Sequence, residues 1–111
     1  MNDLTKKHCI PCEEGTAPLS EEEEEKFKTQ VPEWSLLRDG EHKIRRQFKF
    51  KDFMEAINFV NKVAKIADEE GHHPDIYIFY NKVQLDLFTH AAGGLHENDF
   101  ILASKIDKIL R

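Results

Sequence analysis

Cysteine is scarce in this chain: 111 residues contain only Cys9 and Cys12, both near the amino terminus. A single C-x-x-C is half of a zinc site, and no second pair exists to close it. It sits in a polar, proline-bearing leader and not between a strand and a helix, so it reads as reduced thiols near the surface. Long apolar runs are also lacking. No segment approaches the ~20 residues that cross a bilayer, and MNDLTKKHCIPC carries no apolar leader, so the cytoplasm is the expected location. Positive charge is outnumbered: 16 Lys and Arg against 21 Asp and Glu leave a net charge of -5, without the basic footprint of a direct nucleic-acid binder.

What remains is a chain 40% hydrophobic and 33% charged, ordinary for a folded globular protein, with a length that suits one domain and excludes large enzyme architectures. Residues 1–19, with Pro11, Gly15 and Pro18, show no period and read as a tail or loosely docked arm. Residues 20–111 read as a single domain. Ser20 with Glu23 forms a capping box, and the run Glu21 to Glu25 reads as a solvated helix start ended by Pro32. Asp39-Gly40 joins two strands, in the second of which Ile44, Phe48 and Phe50 alternate with a basic face of Lys43, Arg45, Gln47 and Lys49. Asp52 with Glu55 forms a second capping box at the start of a longer helix whose expected core stripe is Phe53, Ala56, Ile57, Val60, Ala64 and Ala67, closed by Gly71. A second hairpin turns at Asn81-Lys82, and a last helix directs Phe100, Ile101, Ala103, Ile106 and Ile109 inward. The order helix-strand-strand-helix-strand-strand-helix predicts an α+β fold, with a four-stranded antiparallel sheet covered by helices on one face.

Six histidines are present, and two adjoin in EEGHHPD. With Asn81 and Lys82 as central turn residues, His73 falls opposite His90, Asp75 opposite Phe88 and Tyr77 opposite Asp86. Alternation then assigns Ile76, Ile78 and Tyr80 to the core with Val83, Leu85 and Leu87. Tyr77 and Phe79 go to a second face, aromatic enough to be covered by another subunit. Gly71 lets the backbone reverse before His72, and Pro74 biases His73 toward extended conformations, so the two rings can share a cleft with His90. Imidazoles, titrating near ~6.5, supply both a proton donor and an acceptor, which suits an elimination or hydration. Asp99, in the first turn of the last helix, is placed to orient a ring or bind a substrate NH group, or simply to stabilise the helix dipole. His72, His73, His90 and Asp99 also offer zinc-compatible atoms, but adjacent residues seldom ligate one ion, and the expected metal content is none.

The spaced pattern Asp68, His72-His73-Pro74, Tyr80, His90 and Asp99, with YNKV, TH and LAS, resembles the pterin-4a-carbinolamine dehydratases from about Leu19 onward. The resemblance implies dehydration of 4a-hydroxytetrahydropterin to quinonoid dihydropterin with release of water, without a cofactor, recycling the pterin of aromatic amino acid hydroxylases. It implies His72, His73 and His90 as the catalytic set, Asp68 and Asp99 as supports, and Pro74, Thr89, Ala91 and Ala92 as pterin neighbours. Asp68 stands where such proteins often carry Glu, His96 where a hydroxyl residue caps the last helix, and Ala91-Ala92 where the pair is more polar. The resemblance further implies a homodimer or homotetramer. It also raises a second reading, a protein-interaction module acting as dimerisation cofactor of a transcription factor.

Overall fold

The structure, a computed structural model, describes residues 3–11 and 16–110. Cys12, Gly15 and Arg111, named in the expectations above, lie outside the described residues.

Helix α1 (Glu21–Lys28) starts at the Ser20 box, in which the Ser20 hydroxyl accepts the Glu23 amide and the Glu23 carboxylate accepts the Ser20 amide. The acidic run was expected to be solvated, and in part it is not. Glu24 is fully buried, because Arg38 and His42 from the first hairpin donate to its two oxygens at 3.0 and 2.8 Å. α1 ends at Lys28, short of Pro32.

Strands β1 (Ser35–Leu37) and β2 (Lys43–Lys49) pair antiparallel, and α2 (Phe53–Glu70) follows from the Asp52 cap, where only half of the expected box forms: Asp52 accepts the Glu55 amide, but the Glu55 carboxylate accepts the Lys51 amide instead of that of Asp52. β3 (Asp75–Phe79), β4 (Lys82–Leu87) and α3 (Glu97–Lys108) complete the chain. The sheet runs β1-β2-β4-β3, antiparallel throughout, with the helices on one side as the element order predicts. Ile44, Phe48, Val83, Leu85 and Leu87 form the sheet's share of the core. On the other face Arg45 donates to both oxygens of the buried Asp86, at 2.7 and 2.9 Å, so part of the basic face is neutralised.

Three further expectations are corrected. The core stripe of α2 is Ala56, Phe59, Val63 and Ala67, while Phe53 and Ala64 are exposed and Ile57 and Val60 flank the stripe. Phe59 sets the face, its ring lying 4.7 Å from Phe48 and 5.0 Å from Phe50. The second hairpin turns at Tyr80-Asn81, because Phe79 pairs with Lys82 and Asp75 with Asp86. Asn81 fixes this register: its side chain donates to the Phe50 carbonyl and its own carbonyl accepts the Phe50 amide. Tyr80 therefore takes a left-handed turn position (φ 58°), one that asparagine tolerates better. The shift is by two residues, so side chains keep their faces but not their partners. Finally, Ile76, Ile78 and Tyr80 are exposed and not core, because β3 is the outer strand and the helix layer does not reach over it.

The amino-terminal segment is held firmly where residues are described. A 3-10 turn at Leu4–Lys6 buries Leu4 against α3, and the Leu4 amide donates to Gln30. This arm helps bury α3 nearly all round: α1, α2 and the arm pack on it, and its apolar residues join those of the sheet in one core.

Candidate active site

Gly71 closes α2 in the left-handed conformation (φ 66°), with its amide and that of His72 turned back onto the last turn of the helix. The chain thereby leaves the helix end sharply, and the two neighbouring histidines reach different carboxylates. The Nε2 of His72 lies 2.6 Å from Asp99 Oδ1, while that of His73 lies 2.9 Å from Asp68 Oδ1.

The two pairs differ in setting. Asp99 is completely buried, and its second oxygen accepts the Thr89 hydroxyl at 2.9 Å and the His96 amide at 3.0 Å. Asp99 thus contacts both the His72 ring and the start of α3, where His96 Nδ1 accepts the Asn98 amide in place of a capping hydroxyl. Asp68 and His73 are exposed, and the shorter Asp68 side chain still spans the distance.

His90 arrives by another route. It is not opposite His73 in a ladder, as the expected register had it, because β4 ends at Leu87. Instead Thr89 bridges to Gly94, and the enclosed 3-10 turn His90–Ala92, ended by Gly93 at φ 71°, swings the ring edge-on to Phe88 with centroids 4.4 Å apart. His72, His73 and His90 line one open cleft of about 300 Å³ together with Thr89 and Ala91. Asp68 and Asp99 stand behind the rings. Pro74 leads into β3 and Ala92 is buried, so neither forms part of the lining.

Ile10, Pro11, Phe88 and Asn98 also line the cleft and were not among the expected site residues. Nothing in the aperiodic leader signals Ile10 or Pro11, and Asn98 looks like any polar residue of a first helical turn until its burial is seen. Cys9, beside them, is a free, half-buried thiol whose Sγ lies 3.6 Å from the Asn98 carbonyl. Burial, with the Glu70 and Asp99 carboxylates nearby, pushes that thiol up to about 12. The shift favours the neutral thiol over the nucleophilic thiolate. Among the described residues, no three His, Cys, Asp or Glu side chains group as a metal ion would require, and no helix is long and apolar enough to cross a membrane.

Fold and cleft together define a small α+β protein whose site is built of imidazoles and carboxylates, the equipment of acid–base chemistry on a small molecule. The chain belongs to the pterin 4 alpha carbinolamine dehydratase family, whose model matches residues 17–109, downstream of the docked arm. It is 46% identical over 109 residues to a protein of Alkaliphilus metalliredigens assigned as a pterin-4-alpha-carbinolamine dehydratase, covering 97% of this chain and 96% of that one. A protein of Halorhodospira halophila with the same assignment is 48% identical over 106 residues, covering 96% of each. Among solved structures, the transcriptional coactivator/pterin dehydratase of Brucella melitensis superposes with a TM-score of 0.77 at 35% identity, over 83% of this chain and 97% of that one.

Proposed function

We propose that the chain dehydrates 4a-hydroxytetrahydropterin to quinonoid dihydropterin and water, as a hydro-lyase using histidine acid–base catalysis. The observation that carries this is the convergence of His72, His73 and His90 on one cleft, with carboxylates behind two of the rings, in a chain of this family. In the reaction the C4a–O bond breaks as an imidazolium gives its proton to the departing hydroxyl. The N5 proton passes to a neutral imidazole, and the N5–C4a double bond forms. One acid and one base balance the equation, and the scheme uses no metal or bound cofactor. Asp99, accepting a hydrogen bond from the His72 Nε2–H, would leave Nδ1 as that ring's lone-pair nitrogen and hold its orientation, and Asp68 would act likewise on His73.

In this reading the protein works in the cytoplasm, where it returns pterin to an aromatic amino acid hydroxylase. It assembles as a homodimer or homotetramer. The supporting feature is β3, whose five residues are all exposed along an unpaired sheet edge, with Ile76 and Ile78 on one face and Tyr77 and Phe79 on the other. A second copy continuing the sheet would satisfy that edge and cover both faces. An interaction module would draw on the same strand, and an activity measurement separates the readings. Purified protein added to a pterin-dependent hydroxylase should accelerate loss of the 4a-hydroxypterin without added metal. A folded sample that leaves the spontaneous rate unchanged would overturn the dehydratase reading.

A further inference from the structure

We propose that the arm preceding the family's domain is a wall of the substrate cleft, with Ile10 and Pro11 binding the flat face of the pterin and Asn98 acting as their positioning residue; this rests on the dehydratase reading. The cleft's apolar lining is small. Phe88 and Ala91 come from the domain, and Ile10 and Pro11 come from the arm. A fused heterocycle offers two broad faces and a polar edge, and pockets for such ligands combine apolar contact with a few placed polar groups. The histidines provide the polar groups, but without the arm little apolar surface remains to hold the ring.

The arm is built to stay in place there. Asn98 grips Ile10 at both backbone groups, donating to its carbonyl at 2.6 Å and accepting its amide at 3.0 Å. One residue earlier, the Cys9 amide donates to Glu70 Oε1 at 2.8 Å, and Glu70 Oε2 meets Lys105 at 3.2 Å and His8 at 3.0 Å. These anchors are not arbitrary points on the surface. Glu70 adjoins Gly71 and His72, and Asn98 adjoins Asp99, so the arm straps together the two helix ends that carry the His72–Asp99 pair. Between the clamps the Ile10 side chain is 61% exposed, although both of its backbone polar groups are satisfied. Beside Pro11, Phe88 and Ala91 in the same lining, this exposed apolar side chain offers a surface to something flat and apolar.

The test is steady-state dehydration by the full chain carrying Ile10→Ser, Asn98→Ala or both, with thermal melts as folding control. Ile10→Ser should raise KM about tenfold with kcat held within about twofold, since an apolar contact made equally in ground and transition states is lost. Asn98→Ala should raise KM comparably, and the double variant should do little more, because Asn98 acts through the arm. Fully additive effects would refute that coupling. If Asn98→Ala does not fold, Ile10→Ser still decides the wall, its side chain being exposed. An active wild type whose Ile10→Ser variant keeps its KM overturns the arm's role alone. A wild type no faster than the spontaneous reaction overturns the dehydratase reading and the arm's role with it.

Discussion

Asp99 and His72 meet at 2.6 Å across 27 positions of chain, the carboxylate completely buried and the ring facing the cleft. The contact joins the start of α3 to the residue just beyond the α2 cap, so neither helix can shift without moving the ring.

Asp99→Asn tests this pair directly. An amide oxygen can serve His72 or the Thr89–His96 side but not both, and the nitrogen would face a donor. The expected loss is about 10²-fold in kcat for pterin dehydration. Thr89→Val removes one bond to the far oxygen and should cost clearly less. An unaltered kcat in Asp99→Asn would dismiss the support role.

His90 is exposed, with its ring against Phe88. His90→Ala should therefore leave the melting temperature nearly unchanged while lowering kcat by about 10² or more, the usual loss for an acid or base. Circular dichroism and stopped-flow absorbance measure the two quantities, and wild-type turnover would remove His90 from the catalytic set.

Glu70 supplies a pH signature. Its burial alone would raise the carboxyl, but the Cys9 amide, His8 and Lys105 outweigh that and hold it at about 2, against an ordinary 4.5. A folded value below the unfolded one means stabilisation that is complete above about pH 4.5 and disappears as the pH falls toward about 2. The gap in denaturation midpoint between wild type and Glu70→Gln should stay constant from neutrality to about pH 5 and close below that. A gap that persists unchanged into the acid range would contradict the assignment.

For the exposed edge, light scattering should report a multiple of the chain mass for wild type and a smaller species for Ile78→Lys, since a charge on an outer strand opposes edge pairing. A monomeric wild type would end the proposal that β3 is a subunit contact.

Elements set by local chemistry were legible in the sequence. The Ser20 box, the Asp52 cap and the left-handed Gly71 each depend on a few adjacent residues, and each stands where it was read. The hairpin register was not legible, because it is decided by Asn81 bonding to Phe50, 31 positions away, which leaves a tyrosine in the positive-φ position. The same limit explains the α2 stripe. Two overlapping sets of apolar residues had helical spacing, and the Phe48 and Phe50 rings select the one containing Phe59.

At the site, the pattern of histidines identified the side chains that line the cleft, but not how His90 reaches it. A ladder partner was expected, and a bridged turn beyond the strand does the work instead. Asn98 and Ile10 were invisible because their pairing has no period and no motif; only the folded chain brings them together.

That pairing has a consequence in time. Ile10 leaves the ribosome 88 residues before its partner Asn98, so during synthesis the arm has nowhere to dock. The hairpins and α2 can form early, but the cleft acquires its last wall only when α3 has emerged. Because α3 also brings Phe100, Ile101, Leu102 and Ile106 to the core beneath the sheet, packing of the sheet and completion of the cleft await the same helix.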